Sequence, residues 1–524
     1  MLGKLFDSIK RRLDYDQFKK DLMRLTLFGA IVFLGFVLRI YDLGSESYWI
    51  DEMSTVIEGQ QSIHQLLTSG RLDQPPAYYF PFHWWLQTFG TSEISTRSFS
   101  VLAGVGSIIL LYWIGKELFG KEVGLLSALL MAVSDFQIFF SQEARFYSFF
   151  EFAALFSFVF FVLLLKEKKI TYFVLYIFAS VVMIYSHSYG IFIIAAQNLV
   201  IVLQGKKYKD VLIAWFAWQL VIFLMLVPYF FPLLFGNRGI EGAVSLNIGG
   251  NPTPSLLDPL RAIYRFFLPA RRERSWTTIA INYGIAGAFL LIATWFYAMK
   301  RGKDFMVIAV RNVGLAIREI PYMQSKFFLL SCWLLCPIVL PFILSFQFSS
   351  AYAERYTISA APALYLMLAL GIFSVRKVVP IIIVLGMLAI IMIPGLYYYY
   401  ATPVNEQWRD AAIYLDNNAR RGDVVVFAPN MGIGIQQKTF AWYDQNSLQS
   451  CGLGTEIVGR DAISNALQQC VSTYDRFWLV IPNYQSESVD RYRSFFFDQE
   501  LTRMDVIEKR QFFGISIYLF QVAK

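Results

Sequence analysis

Charged residues are scarce in this sequence. Only 16% of its 524 residues are Asp, Glu, Lys or Arg, against 56% hydrophobic and 17% aromatic. With a mean hydropathy of +0.48, that balance excludes a chain that folds entirely in water, whose composition would carry about a quarter charged residues. Cysteine is scarce too, at four residues. Cys332 and Cys336 lie four apart in an apolar run with no histidine nearby, which favours buried small side chains over a metal pair. Cys451 and Cys470 lie in a more polar region, where an oxidising compartment would permit a disulfide that the sequence alone does not fix. Internal repeats and low-complexity tracts are lacking. The basic N-terminal run "KLFDSIKRRLDYDQFKKDLMR" is followed by no small-residue cleavage site, so residues 1–24 read as a cytoplasmic amphipathic segment on an anionic leaflet, not a signal peptide.

Apolar runs are what the sequence has in quantity. A helix needs roughly 20 mostly apolar residues to span a bilayer, and about eleven segments qualify: 25–40, 99–115, 122–140, 146–165, 170–187, 190–204, 211–235, 277–299, 327–346, 356–375 and 379–397. Short cytoplasmic loops are enriched in Lys and Arg. With the N-terminus inside, the inner loops carry Lys116 and Lys121, "KEKK" at 166–169, "GKKYKD" at 205–210, "KRGKD" at 300–304 through Lys326, and Arg376–Lys377. Residues 41–98, 236–276 and everything after about 398 then fall outside. The last stretch alternates amphipathic helical patterns ("NEQWRDAAIYLDNNARRG", "RDAISNALQQC") with short apolar runs ("DVVVFAP", "RFWLVIP", "ISIYLFQV"). The expected architecture is a polytopic all-α membrane domain, residues 25–397, in the plasma (inner) membrane, with a C-terminal extracytoplasmic α/β domain over 398–524.

Against this background the acids of "YWIDEMSTVIEG", residues 48–59, stand out. Asp51 has an ordinary reading as the N-cap of a helix running from Glu52 to about Leu67, with Glu52 in the first turn where the helix dipole favours an acid. Other polar outliers on the same side point to chemistry instead. Glu143 and Arg145 sit in "FSQEARFYS" at the outer end of the third segment, and His187 sits in "YSHSYG" at that of the fifth. Glu354, Arg355 and Tyr356 open "ERYTISAAPAL" at the outer end of the tenth. A lone histidine, or an ion pair at a tight turn, is ordinarily structural. Ionisable groups recurring at several span ends tend to face a cavity or a substrate, because each is costly in lipid when unpaired.

The outer loop 236–276 holds Arg238, Arg261, Arg265, Arg271, Arg272 and Arg274 against Glu241, Asp258 and Glu273, with no lysine. Guanidinium groups suit bidentate binding of phosphate oxygens, and Arg261 and Arg265, four apart, share a face if that stretch is helical. Nonspecific gripping of lipid headgroups is the competing reading. A carboxylate pair, arginines and an aromatic membrane wall together suit displacement at a sugar carbon bearing a lipid-phosphate leaving group. One carboxylate would take the acceptor proton as general base, and arginines would stabilise charge on the departing phosphate.

Taken in order, "IDEMSTV", "LDQPPAYYFPFHWWLQTFG", "SEISTRSFSVLAG", "FSQEARFYS", "SHSYGIF", "ERYTISAAPAL" and "WRDAAIYL" resemble the bacterial glycosyltransferase family 39. These are GT-C-type polytopic enzymes related to protein O-mannosyltransferases and lipid A aminoarabinose transferases. The resemblance implies a polyprenyl-phosphate sugar donor, an outer-side acceptor that is a glycan, lipid or protein, contact with membrane lipids, and inversion at the anomeric carbon. It places the catalytic base on Asp51 with Glu52 supporting, a second site on Glu143 and Arg145, donor-site roles on Arg355 and Tyr356, and matching positions of unspecified role on His83 and His187. One departure matters: the lysine that aminoarabinose transferases carry before the double proline is Gln74 here, beside Asp73. That argues against aminoarabinose and shifts the phosphate to the arginines of 236–276 or Arg355. No cofactor is required and nucleic acid is not an expected partner. A divalent cation, used by some relatives of this architecture, is compatible, although no ligand spacing demands one. A multi-span lipid or solute transporter is the alternative, disfavoured because no paired Gly/Pro-broken spans recur in two halves.

Overall fold

The structure, a computed structural model of the chain, describes residues 2–68, 75–235, 253–267, 322–347, 352–374, 378–432, 434–484, 486–497 and 506–522. It forms two compact units: a membrane unit of residues 1–41, 61–89 and 97–399, and a sheet unit of residues 42–60, 90–96 and 400–524.

Among the described residues, six helices are long and apolar enough to cross a membrane: Tyr15–Ile40, Glu93–Phe119, Tyr147–Glu167, Tyr208–Pro228, Lys326–Leu344 and Glu354–Phe373. Lys121–Val133 and Asp135–Ser141, bent by 63°, make a seventh if the pair is one span. The shorter apolar helices Ile170–Ser186, Gly190–Leu203 and Leu385–Ala401 lie over three more of the expected segments. The segment 277–299 lies outside the described residues, so the fold is polytopic and helical while the count of about eleven is not established.

Sequence dictates the packing locally. Gly115 and Gly124 let two neighbouring helices touch: a Cβ on Gly115 would stand 2.8 Å from the Gly124 Cα, and one on Gly124 would stand 2.6 Å from the Tyr112 carbonyl oxygen. The lysine-rich turns gather at one end of the membrane unit through ion pairs of Arg24 with Glu122 (2.5 Å), Lys121 with Asp21 (2.7 Å), Lys166 with Glu117 (2.8 Å) and Lys168 with Asp210 (3.0 Å). Arg145 precedes helix Tyr147–Glu167, whose far end carries Lys166. The candidate site residues of this unit therefore lie at the end opposite the lysines.

The sheet unit has strands β1 (Asp423–Asn430), β2 (Ser450–Gly454), β3 (Arg476–Pro482), β4 (Val506–Phe512) and β5 (Ile515–Gln521) in the order β2-β1-β3-β5-β4. β1 runs parallel to β2 and β3, and β5 runs antiparallel to β3 and β4. β1 is buried along its whole length, as its unbroken "VVVFA" run demands of a strand covered on both faces. Alternate residues feed two cores. Val424, Val426 and Ala428 pack with helices Arg460–Val471 and Glu487–Phe497, whereas Val425 and Phe427 pack with helices Trp408–Asn418 and Ile435–Tyr443. β4, "VIEKRQF", is an exposed edge whose charges discourage further pairing. Cys451 and Cys470 form a disulfide with Cα atoms 5.8 Å apart, tying β2 to helix Arg460–Val471. Cys332 and Cys336 are buried free thiols.

Candidate functional site

Asp51 and Glu52 belong to the sheet unit. Helix Ile50–Gly59 starts two residues earlier than a cap at Asp51 would require: Trp49, in extended conformation, occupies the N-cap position and makes no side-chain cap bond. Asp51 and Glu52 therefore fill the first turn, where the dipole favours acids. The helix stops at Gly59, and a separate short helix, Ile63–Thr68, follows in place of one continuous run to Leu67. Glu52 is fully buried and Asp51 half-buried. What fixes this helix is the sheet unit itself, since Ile50 packs on the core of Trp408, Phe427 and Phe440.

The strings flanking the acids are knitted into the same unit by hydrogen bonds. The Tyr48 hydroxyl donates to the Thr91 carbonyl (2.8 Å), and the Tyr48 backbone N–H donates to the Tyr443 hydroxyl (2.8 Å). Tyr443 and Arg409 both donate to Glu93, at 2.7 and 2.5 Å. Glu46 accepts from the backbone N–H groups of Val404 (2.5 Å) and Asn405 (2.8 Å), and Ser47 donates to the Glu406 carbonyl (2.7 Å). "YWIDEM", "SEISTR" and "WRDAAIYL", more than 300 residues apart at their extremes, are thus one hydrogen-bonded assembly.

In the membrane unit the remaining candidates converge on helix ends. The bend at Ser134 releases the carbonyls of Met131 and Ala132, and Arg39, fully buried, donates to both (3.1 and 3.0 Å) and to Ser141 (3.1 Å). This clamp sets helix Asp135–Ser141 and the turn after it, which holds Glu143 and Arg145, each 2% exposed. The Arg145 guanidinium lies 4.8 Å from the Phe146 ring centroid, within cation–π range, and its carbonyl accepts from Ser100 (3.2 Å). His187, 2% exposed, ends helix Ile170–Ser186. Its Nδ1 accepts the Tyr189 backbone N–H at 3.1 Å, which assigns the proton of the neutral ring to Nε2. The ring packs among Phe146 (5.1 Å), Phe150 (5.1 Å) and Tyr356 (4.7 Å).

The "ERY" string completes this cluster. Tyr356 is buried beside His187, and the Arg355 guanidinium lies 5.3 Å from the Tyr356 ring. Glu354 pairs with Arg265 and, at 3.4 Å, with Arg261, which also donates to Asp258 at 2.8 Å. Helix Asp258–Arg265 does present both arginines to one side, as their spacing predicts, but that side meets carboxylates of this chain. His83 is buried on helix Tyr79–Phe89 with its ring near Trp84. The segment leading into that helix joins the cluster through Tyr78, whose ring lies 6.5 Å from Phe146, and through the Ala77 N–H donating to the Tyr185 carbonyl (2.9 Å). Gln74, Asp73, Arg238, Glu241, Arg271, Arg272, Glu273 and Arg274 lie outside the described residues. Among the described residues no three His, Cys, Asp or Glu side chains are grouped to hold a metal ion.

Sequence reasoning missed Arg39 and Glu93. Arg39 was visible as an arginine closing an apolar helix, where an unpaired charge is costly. Glu93 carries no local signal, because its partners are Arg409 and Tyr443.

With this geometry in view, solved structures share the fold. The apo oligosaccharyltransferase of Archaeoglobus fulgidus superposes with a TM-score of 0.52 at 12% identity, covering 88% of this chain and 69% of its own. The archaeal oligosaccharyltransferase AglB of Archaeoglobus fulgidus, in complex with an inhibitory peptide and a dolichol-phosphate, gives the same score, identity and coverage. The fold is that of the GT-C membrane glycosyltransferases. More specifically, residues 73–232 match the family described as dolichyl-phosphate-mannose-protein mannosyltransferase, a stretch that contains His83, Glu143, Arg145 and His187. An uncharacterized protein of Aquifex aeolicus (strain VF5) is 26% identical over 206 residues, covering 36% of this chain and 40% of the relative's length.

Proposed function

We propose that this chain is a glycosyltransferase that moves a sugar from a polyprenyl-phosphate-linked donor to an acceptor hydroxyl on the extracytoplasmic side of the plasma membrane, with inversion. The observation that carries the reading lies in the membrane unit. Arg145, His187 and Tyr356, all buried, and half-buried Arg355, from three separate strings, gather at helix ends opposite the lysine-rich turns, and two of them fall in the segment matched to mannosyltransferases. Short lysine-rich loops mark the cytoplasmic side, so the cluster is assigned to the outer side. A disulfide in the sheet unit suits that side as well. The dolichol-phosphate held by the archaeal relative supports a lipid-phosphate donor. The transporter alternative is not favoured, since the matched family and the structural relatives are transferases.

Roles follow from chemistry, each within its own unit. In the sheet unit, Asp51 takes the proton of the acceptor hydroxyl as that oxygen bonds to the anomeric carbon, and buried Glu52 supports it. The C–O bond to the lipid phosphate breaks and its electron pair leaves on the phosphate. In the membrane unit, Arg355 neutralises that phosphate, and Arg261 and Arg265, paired with Glu354 and Asp258, hold the loop beside it. Arg145 and Glu143 hold the turn beside it, and His187 and Tyr356 wall it with hydrogen-bonding rings. No cofactor enters the reaction as written. Purified protein incubated with a panel of polyprenyl-phosphate sugars should consume at least one and release polyprenyl phosphate in equal amount. Failure with every donor, by protein that still binds polyprenyl phosphate, would contradict the reading.

A further inference from the structure

β1 sits between two parallel neighbours. The crossover from β1 to β2 runs through helix Ile435–Tyr443 on one face, and that from β2 to β3 runs through helix Arg460–Val471 on the other. The crevice beyond the carboxyl ends of β1 and β3 is therefore a topological switch point, where open α/β sheets take their ligands. Here the two loops that form it are bridged, because the Tyr484 hydroxyl after β3 donates to the Met431 sulfur after β1 at 3.2 Å. Gln436, 2% exposed, accepts the Met431 N–H at 2.7 Å and supports the bridge from behind.

Three further observations converge on this crevice. Helix Ile50–Gly59, which carries Asp51, packs on helix Ile435–Tyr443, whose start closes the β1 loop. Asn483, exposed, accepts from Ser516 (2.7 Å), and its backbone N–H donates to the Gly514 carbonyl (2.8 Å). Gly514, at φ 77°, turns β4 into β5 against Glu406, where a Cβ would stand 2.7 Å from the Glu406 side chain, and Glu406 is held by the Trp408 indole N–H at 2.6 Å. Burial first, then the charges of Glu406 and Asp51, push the Tyr484 hydroxyl up to about 12, so it stays a donor at neutral pH.

We infer that the switch-point crevice of the sheet unit, lined by Tyr484, Asn483, Glu406 and Asp51, binds the acceptor, and that the acceptor is an uncharged saccharide. This rests on the glycosyltransferase reading, because a base at Asp51 must stand beside the hydroxyl it deprotonates. An aromatic ring, an amide and two carboxylates offer a face for stacking and paired acceptors and donors for neighbouring sugar hydroxyls. The same two carboxylates repel a phosphorylated acceptor.

Saturation-transfer NMR on the full chain in detergent, probed with free mannose, galactose, glucose and N-acetylglucosamine and with glucose 6-phosphate, tests the site without turnover. At least one neutral sugar should give signal, and glucose 6-phosphate none. Tyr484→Phe should weaken that binding roughly three- to tenfold, as one lost hydrogen bond implies, and Tyr484→Phe/Asn483→Ala should abolish it, with unfolding still cooperative and its midpoint lowered only as far as the lost bonds to Met431 and Ser516 account for. In transfer assays Tyr484→Phe should raise acceptor KM by the same factor while donor KM stays within about twofold. Sugar binding indifferent to both variants, glucose 6-phosphate binding as well as glucose, or transfer confined to a peptide acceptor would each overturn the inference. Retained transfer by Asp51→Asn would instead overturn the base assignment and leave the NMR arm standing as the test of the crevice.

Discussion

Arg39→Met removes the clamp at the bend after Val133. The methionine keeps bulk and apolar contact but leaves the Met131 and Ala132 carbonyls and the Ser141 hydroxyl without the guanidinium that binds them. A buried acceptor left unsatisfied costs about 1–3 kcal/mol, so the two carbonyls alone set a loss of about 2–6 kcal/mol before the bend relaxes. Equilibrium unfolding in mixed detergent micelles, referenced to the lipid-facing control Leu102→Ala, reads this directly; Leu102 is 52% exposed. Arg39→Lys should fall between wild type and Met, because one ammonium cannot reproduce the planar fork. Turnover should drop with stability, since the clamp sets the turn holding Glu143 and Arg145. Wild-type stability in Arg39→Met, within about 0.5 kcal/mol, the ordinary range for surface substitutions, would refute the reasoning.

Two other perturbations test the polar contacts. Among the described residues, Arg265→Ala leaves Glu354 paired with Arg261, and half-buried pairs of this kind lose about 1–3 kcal/mol when one partner goes. Glu354→Gln on that background should restore part of it in a double-mutant cycle, and additive losses would show the two are not coupled. In the sheet unit, burial alone would raise the Asp423 carboxyl, but Arg476, at 3.0 and 2.5 Å, outweighs it, and the Arg420 N–H and Trp478 indole add to the lowering. A lowered carboxyl contributes stability that is full above the unfolded value of about 4 and fades as pH falls through the folded value. Asp423→Asn should therefore cost stability at pH 7 and flatten the acid limb of a melting-point profile. An unchanged acid limb would count against the pair.

Much of the fold is legible in the sequence wherever one physical signal dominates. Long apolar runs mark the spans, and "DVVVFAP", "RFWLVIP" and "ISIYLFQV" land on β1, β3 and β5. The signal fails where packing decides instead. β2, "SCGLG", has little strand propensity and is held by pairing with β1. β4, with its exposed charges, is held by β5. The bend at Ser134 lies inside a run that reads as one span, and it is held by Arg39 and by the Ser134 cap, which accepts from the Gln137 N–H at 3.3 Å. Arg261 and Arg265 share a face as read, but no local pattern shows that Glu354, 93 residues from Arg261, meets them. Tyr484 and Glu406 carry no motif at all. They matter because the sheet order brings their loops to one end of the sheet.

The central claim is that Asp51 deprotonates the sugar acceptor. Its most direct test compares wild-type protein with Asp51→Asn in steady-state transfer from the polyprenyl-phosphate sugar identified by the donor panel. The account predicts that kcat falls about a hundredfold to ten-thousandfold while affinity for polyprenyl phosphate and the unfolding midpoint hold. Transfer by Asp51→Asn within tenfold of wild type would contradict it.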